Sequence, residues 1–171
     1  MMDTPSLAVM IRRMEMRDIS RVMEIDRQSF SLTWPEKSYI FELTRNGNSR
    51  IWLAEIADPE PFLKVIGVLG VWVILDEAHI STVAVDPDYR QLHVASQLLE
   101  FALRMAGSEG ASVTRLEVRA GNSAAIRMYE KFGFLTVSIR PRYYADNGED
   151  ALLMDLDMAA AGYTRIGELP S

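Results

Sequence analysis

HISTVAVDPDYRQLHVASQLL, residues 79–99, decides how the rest of the chain is read. Its β-branched run through Ile80, Thr82, Val83 and Val85 suits a buried strand, and Asp86-Pro87-Asp88 stops that strand. Apolar residues then return at helical spacing from Ala95 to Leu103. A strand that feeds a helix through a short loop aims several backbone N–H groups at one point, where the helix dipole also favours negative charge. Phosphate is the ligand that such a turn suits.

Upstream of this turn, residues 1–8 are expected to form a flexible leader and Val9–Met14 a first strand. Ile19, Val22, Met23 and Phe30 recur at helical spacing, with Arg21, Glu24 and Arg27 free to face water, so a helix is expected over about Arg17–Phe30. Thr33-Trp34-Pro35-Glu36 opens a second helix that runs through Thr44, with Thr33 able to cap it and Asn46-Gly47-Asn48 closing it. Arg50–Ile56 and Leu63–Ile74 read as strands on either side of the turn Asp58-Pro59-Glu60-Pro61. Downstream, Gly107–Gly110 break the helix and Val113–Val118 supply a strand. Asn122 caps a further helix to about Phe132, and Gly133 stands where a left-handed cap is expected. Phe134–Tyr143 and Asp150–Asp157 finish as two strands joined at Asp146-Asn147-Gly148, an Asn-Gly hairpin signal. Residues 158–171 show no clear periodicity. The order β-α-α-β-β-β-α-β-α-β-β predicts one α/β domain over 9–157, with antiparallel hairpins early and late around a βαβα core. Such an order implies a mixed sheet covered by helices.

The bulk numbers narrow the function classes. A chain of 171 residues with 49% apolar and 25% charged residues can bury a full core without disulfides or structural metal. Its longest apolar run, Val65–Leu75, is too short to span a bilayer and contains two glycines, so no membrane association is expected. No basic segment followed by an apolar stretch and a small-residue cleavage site opens the chain, so the cytoplasm is the expected compartment. Cysteine is absent, which removes thiolate nucleophiles, zinc–thiolate sites and disulfides; no metal is expected. A formal net charge of −6 argues against direct nucleic-acid binding. The excess acid can serve solubility or attract a cationic substrate.

Several motifs resemble those of the GNAT acetyltransferase superfamily, whose members move an acetyl group from acetyl coenzyme A to an amine. Arg90-Gln91-Leu92-His93-Val94-Ala95 is similar to the superfamily's Gln/Arg-x-x-Gly-x-Gly/Ala pyrophosphate loop, with His93 where the first glycine belongs. Glycine allows a positive φ and a close backbone approach, which histidine adopts less readily. Leu116–Asn122 (LEVRAGN), Met128–Phe134 (MYEKFGF) and Tyr143–Ala151 (YYADNGEDA) resemble the protein N-terminal acetyltransferases of that superfamily, in particular the RimI-like ribosomal-protein alanine acetyltransferases. The similarity spans roughly Ile11–Asp157, with its motifs in order.

The resemblance implies a GNAT-type fold: a mostly antiparallel sheet of about seven strands flanked by four helices and splayed at the cofactor site. It implies acetyl-CoA as cosubstrate and coenzyme A as product. The pantetheine arm would pair with the backbone of Val83, Ala84 and Val85, and the pyrophosphate would lie on Gln91, Leu92, His93, Val94, Ala95 and Ser96. Asn122 would lie near coenzyme A besides capping its helix. Glu117 would be the general base and Tyr129 the acid that protonates the departing thiolate. The partner implied is a protein N-terminus, here a ribosomal protein, enclosed by Trp34, Tyr143 and Tyr144.

Chemistry gives these roles a reason. An ammonium has no lone pair, and an α-amine with a pKa of about 7.7–8.0 is partly neutral near pH 7, so a modest base suffices. Without cysteine, direct attack in a ternary complex is favoured over an acyl-enzyme. Periodicity alone reads the same residues otherwise: Glu117 as a solvent-facing strand residue, Tyr129 as a core aromatic, Trp34 and Tyr143 as packing aromatics, and His79 as a strand end. Two other functions remain open, a small-molecule amine acetyltransferase and a non-catalytic acyl-CoA-binding module. The Tyr143-Tyr144 pair matches the protein-directed branch.

Overall fold

The computed structural model describes residues 5–164. The expected leader and tail therefore lie partly outside the described residues, at 1–4 and 165–171. Seven strands are present among the described residues: β1 (Met10–Arg13), β2 (Ser49–Ala57), β3 (Leu63–Ile74), β4 (Glu77–Val85), β5 (Val113–Arg119), β6 (Leu135–Arg140) and β7 (Ala151–Asp157). They hydrogen-bond in the order β1-β2-β3-β4-β5-β7-β6. Four helices accompany them: α1 (Ile19–Ser29), α2 (Glu36–Thr44), α3 (Val94–Ser108) and α4 (Ser123–Phe132). Element order and strand count agree with the sequence reading. The described residues divide into two units, 5–71 with Ser81–Ala102 and Trp72–Ile80 with 103–164.

In the first unit, Ile19, Val22 and Ile25 form one buried stripe of α1 and pack with Tyr39, Leu53, Val68 and Ala84. Each fully buried aliphatic side chain of this kind contributes about 1.5–3 kcal/mol. β1 runs antiparallel to β2, from Met10 opposite Glu55 to Arg13 opposite Trp52. Arg12 donates two bonds of 2.8 Å to the buried Asp18 carboxylate and a 2.6 Å bond to Glu55. That fork fixes β1 against the 3-10 turn that opens α1. The second helix starts later than Thr33 would place it: the extended Pro35 is its N-cap, and no side chain caps it. Proline has no side-chain acceptor to offer the first turn, and its carbonyl takes the Ser38 N–H at 2.9 Å as the first intrahelical bond.

In the second unit, β4 and β5 form a parallel ladder that joins Glu77, Ala78 and His79 to Val113, Thr114 and Arg115. β4 itself runs on to Val85. β5 buries Thr114, Leu116 and Val118 on one face, the period-2 pattern of a half-covered strand. β7 pairs antiparallel with β5 along its whole length, Val113 opposite Asp157 to Arg119 opposite Ala151. The final hairpin departs from the tight Asn-Gly turn. β6 ends at Arg140, before Pro141, and residues 141–150 connect it to β7. Proline cannot donate to the ladder, which stops the strand three residues early. The helix expected to break at Gly107 runs on through Ser108. Gly107 is instead a close-approach site, where a Cβ would fall 1.7 Å from the Tyr163 carbonyl oxygen. Part of the unassigned segment 158–171 is thus packed: Met158 is fully buried and accepts a bond from Thr114 Oγ1.

Candidate active site

The loop between β4 and α3 lies within the first unit. β4 ends with Val83, Ala84 and Val85, of which Ala84 is buried. The Asp86 carboxylate accepts the Asp88 N–H at 2.9 Å and pairs with Arg21, whose Nε donates to the Val65 carbonyl at 3.0 Å. Burial opposes its ionisation, yet these donors hold the Asp86 carboxyl below its ordinary pKa. The turn is therefore anchored before the loop begins. Arg90 anchors the other side: Nε donates to the Val85 carbonyl at 3.1 Å, and Nη2 reaches the Gln28 carbonyl and Ser29 Oγ at 3.2 Å.

Between those anchors, Gln91 and His93 both take positive φ, +61° each. His93 thus adopts the left-handed backbone for which a glycine is the usual residue. Its carbonyl then accepts the Gln97 N–H at 3.1 Å, the first intrahelical bond of α3. The first-turn N–H groups of Val94, Ala95 and Ser96 have no intrahelical acceptor by construction, which leaves them available to an anion. Leu7 adds a bond from outside: its N–H donates to the Leu92 carbonyl at 3.1 Å, and the Gln97 amide donates to the Leu7 carbonyl at 2.6 Å.

The titratable residues named from sequence lie in the second unit. Glu117 projects from the half-exposed face of β5, and its Oε2 lies 2.7 Å from His79 Nε2 on β4. The His79 ring also stands edge-on to Trp72, with centroids 5.6 Å apart. His79 is more than a strand end: it is the polar partner of the candidate base, brought there by a strand register that sets His79 opposite Arg115, two residues before Glu117. Local periodicity carries no signal for that pairing. Tyr129 is buried on α4, edge-on to Phe134 at 5.6 Å. Burial, with a smaller contribution from Tyr144, pushes its hydroxyl up to about 12. A tyrosine so placed keeps its proton at neutral pH.

Asn122 caps α4, its Oδ1 accepting the Ala125 N–H at 3.3 Å, and Gly133 closes the helix at φ +101°. Tyr143 and Tyr144 lie in the 141–150 connection with ring centroids 5.1 Å apart. Tyr144 is half-buried, and Tyr143 is exposed. Burial raises the Tyr144 pKa, opposed by Arg119; Glu117 is among the charges that act on it. Trp34, half-buried in the first unit, stacks at a tilt on Tyr39 at 5.4 Å. Tyr39 donates to the buried Asp26 carboxylate, whose other oxygen has no partner among the described residues. Among the described residues no cluster of His, Asp and Glu is placed to hold a metal ion, and no helix is long and apolar enough to cross a membrane.

The chain is 32% identical over 160 residues to the [ribosomal protein bS18]-alanine N-acetyltransferase of Escherichia coli K12, covering 87% of this chain and 97% of that one. It is 29% identical over 157 residues to an N-alpha-acetyltransferase of Sulfurisphaera tokodaii, covering 84% and 90%. Among solved structures, the ribosomal-protein-S18-alanine N-acetyltransferase from Escherichia coli superposes with a TM-score of 0.81 at 29% identity, over 96% of this chain and 99% of that one. The family model described as "Acetyltransferase (GNAT) family" matches residues 19–134, which take in the phosphate loop, β5 and α4. The chain belongs to the GNAT acetyltransferase family.

Proposed function

We propose that this protein transfers an acetyl group from acetyl-CoA to the N-terminal α-amine of a protein, and that its substrate is a ribosomal protein of the bS18 type with an N-terminal alanine. The single observation that carries the chemistry is the Glu117–His79 pair at 2.7 Å on the half-exposed face of β5. The relatives named above support the substrate. A ribosomal substrate makes the cytoplasm the compartment of the reaction.

When bound, acetyl-CoA supplies an acetyl thioester. The residues that would hold it are Gln91 to Ser96 for the pyrophosphate and the backbone of Val83–Val85 for the pantetheine arm, with Asn122 nearby. The positive φ of Gln91 and His93 fits that role, since it turns the loop backbone as a glycine-containing loop would. Glu117 accepts the proton of the attacking α-amine, directly or through one water, and His79 orients the carboxylate that does so. Tyr129 retains its hydroxyl proton at neutral pH and would give it to the thiolate as that charge develops, the phenol then being restored by a proton from solvent. Trp34, Tyr143 and Tyr144 would receive the first residues of the substrate. Residues 9–157 make up the acetyltransferase domain in this reading.

Incubation with acetyl-CoA and a panel of peptides that differ in their first residue, followed by mass spectrometry, tests the assignment. The expected product carries one acetyl group on the α-amine, with alanine-initiated peptides preferred. Absence of acetylated peptide across the panel would overturn the substrate, and acetyl-CoA binding without transfer to any amine would favour the non-catalytic module.

A further inference from the structure

Arg119 has no part in the chemistry above, yet it gathers the 141–150 connection onto the end of β5. Its guanidinium donates to both Asp146 oxygens, at 3.1 and 2.9 Å, and reaches Glu149 Oε1 at 3.4 Å. The same group lies 3.9 Å from the centre of the Tyr144 ring. Glu149 uses its other oxygen to accept the Gly121 N–H at 2.8 Å, a second tie between the connection and the chain just after β5. Arg119 and Glu117 are two residues apart on one strand, so their side chains leave the same face of β5.

We propose that Arg119 is a positioning residue for substrate capture: it latches the 141–150 connection to β5 and holds the Tyr144 ring beside Glu117, as a preformed wall for the substrate's first residues. The proposal rests on the transfer to a peptide α-amine argued above. A planar fork suits the task, because a bidentate bond to Asp146 fixes the guanidinium plane on which Tyr144 stacks. A lysine would keep the charge and lose both the fork and the stack. A wall held in place before binding spares the peptide the entropy of ordering a ten-residue connection, 141–150. The charges agree with this placement, since Tyr144 feels Glu117 and Tyr129 feels Tyr144.

Steady-state kinetics of Arg119→Ala and Arg119→Lys, paired with limited trypsinolysis of the same proteins, test the latch. Arg119→Ala is expected to raise the peptide KM by about tenfold, the scale of one lost charge-assisted contact with its stack. Its kcat and its KM for acetyl-CoA should stay within about twofold of wild type, and Arg119→Lys should fall between. Trypsin should cut the Arg142–Tyr143 bond faster in Arg119→Ala. Arg115→Ala, on the same strand face but paired with Glu77 and Asp155 instead, should change neither readout. An unchanged peptide KM, or an unchanged rate of cleavage after Arg142, would overturn the latch. Faster cleavage together with a wild-type enzyme that acetylates no peptide would sustain the latch and overturn the proposed substrate.

Discussion

Replacing His93 with glycine separates strain already present in the folded protein from strain imposed by a ligand. His93 sits at φ +61°, where a residue with a Cβ is held at a cost of about 1–2 kcal/mol. Glycine removes that cost and returns part of it through the greater freedom of the unfolded chain, about 0.5–1 kcal/mol. The net gain is about 0.5–1 kcal/mol, which for a domain of this size raises the thermal midpoint by roughly 1–4 °C. Because the left-handed backbone exists before any ligand arrives, the relief is equal in free and bound protein and cancels from the binding equilibrium. The Kd for acetyl-CoA should therefore change by less than about twofold. A loop forced into positive φ only on binding would behave differently, since the same 1–2 kcal/mol would appear as roughly 5- to 30-fold tighter binding. Thermal unfolding followed by circular dichroism and calorimetric titration with acetyl-CoA read the two quantities separately. Binding at least fivefold tighter with no change in midpoint would refute the preformed loop.

Glu117→Gln should lower kcat/KM by about 10²- to 10⁴-fold at pH 7. Its residual rate should climb towards pH 9, as the neutral fraction of an α-amine of pKa about 7.7–8.0 rises from about a tenth to roughly nine tenths; wild-type turnover at pH 7 would remove Glu117 from the role. Asp26 is almost fully buried, and desolvation lifts its carboxyl above the ordinary value of 3.8, opposed by the Tyr39 hydrogen bond. A raised folded pKa means that the stability it contributes is whole below about pH 3.8 and is lost as pH rises through the folded value. Asp26→Asn should accordingly melt higher than wild type at pH 7 and lose that advantage towards pH 3, whereas a difference independent of pH would contradict the assignment. Gly107→Ala drives a methyl group into the Tyr163 carbonyl and should destabilise by about 1–3 kcal/mol in chemical denaturation; an unchanged midpoint would mean that the segment around Tyr163 moves away freely.

The elements that were legible in the sequence are those whose cause is local. Leu63–Ile74 is apolar but for Lys64 and two glycines and is bounded by turn residues, and it forms β3 over the same residues. Asn122 and Gly133 bracket α4 because a side-chain acceptor and a residue tolerant of positive φ are each sufficient at their own positions. The turn at Asp86 was equally plain, since aspartate and proline stop a strand wherever they fall. Features that depend on two distant segments were not legible. His79 looks like a strand end until the β4–β5 register brings Glu117 beside it. Asn147-Gly148 carries the signal of a two-residue turn, but Pro141 ends β6 early, and the charges of Asp146 and Glu149 are spent on Arg119. His93 argues against a left-handed backbone by propensity, yet the anchors at Asp86, Arg90 and Gln97 together hold it there. Local preference of a kilocalorie or two yields when several fixed contacts share the opposite demand.

The bonds between Leu7 and the phosphate loop constrain how the enzyme can be handled. Leu7 grips the Leu92 carbonyl and is gripped in turn by the Gln97 amide, while the Val9 N–H faces Gln97 Oε1 at 3.4 Å. The peptide ahead of β1 is thus a brace on the loop between β4 and α3, although its sequence reads as a flexible leader. Trimming the chain to residue 9 would hand the Leu92 carbonyl back to water and leave the Gln97 amide with the His93 carbonyl, at 3.2 Å, as its acceptor. On the proposed role of that loop, such a truncation is expected to weaken acetyl-CoA binding before it lowers the thermal midpoint, so an N-terminal boundary chosen to tidy the chain would be felt first at the cosubstrate.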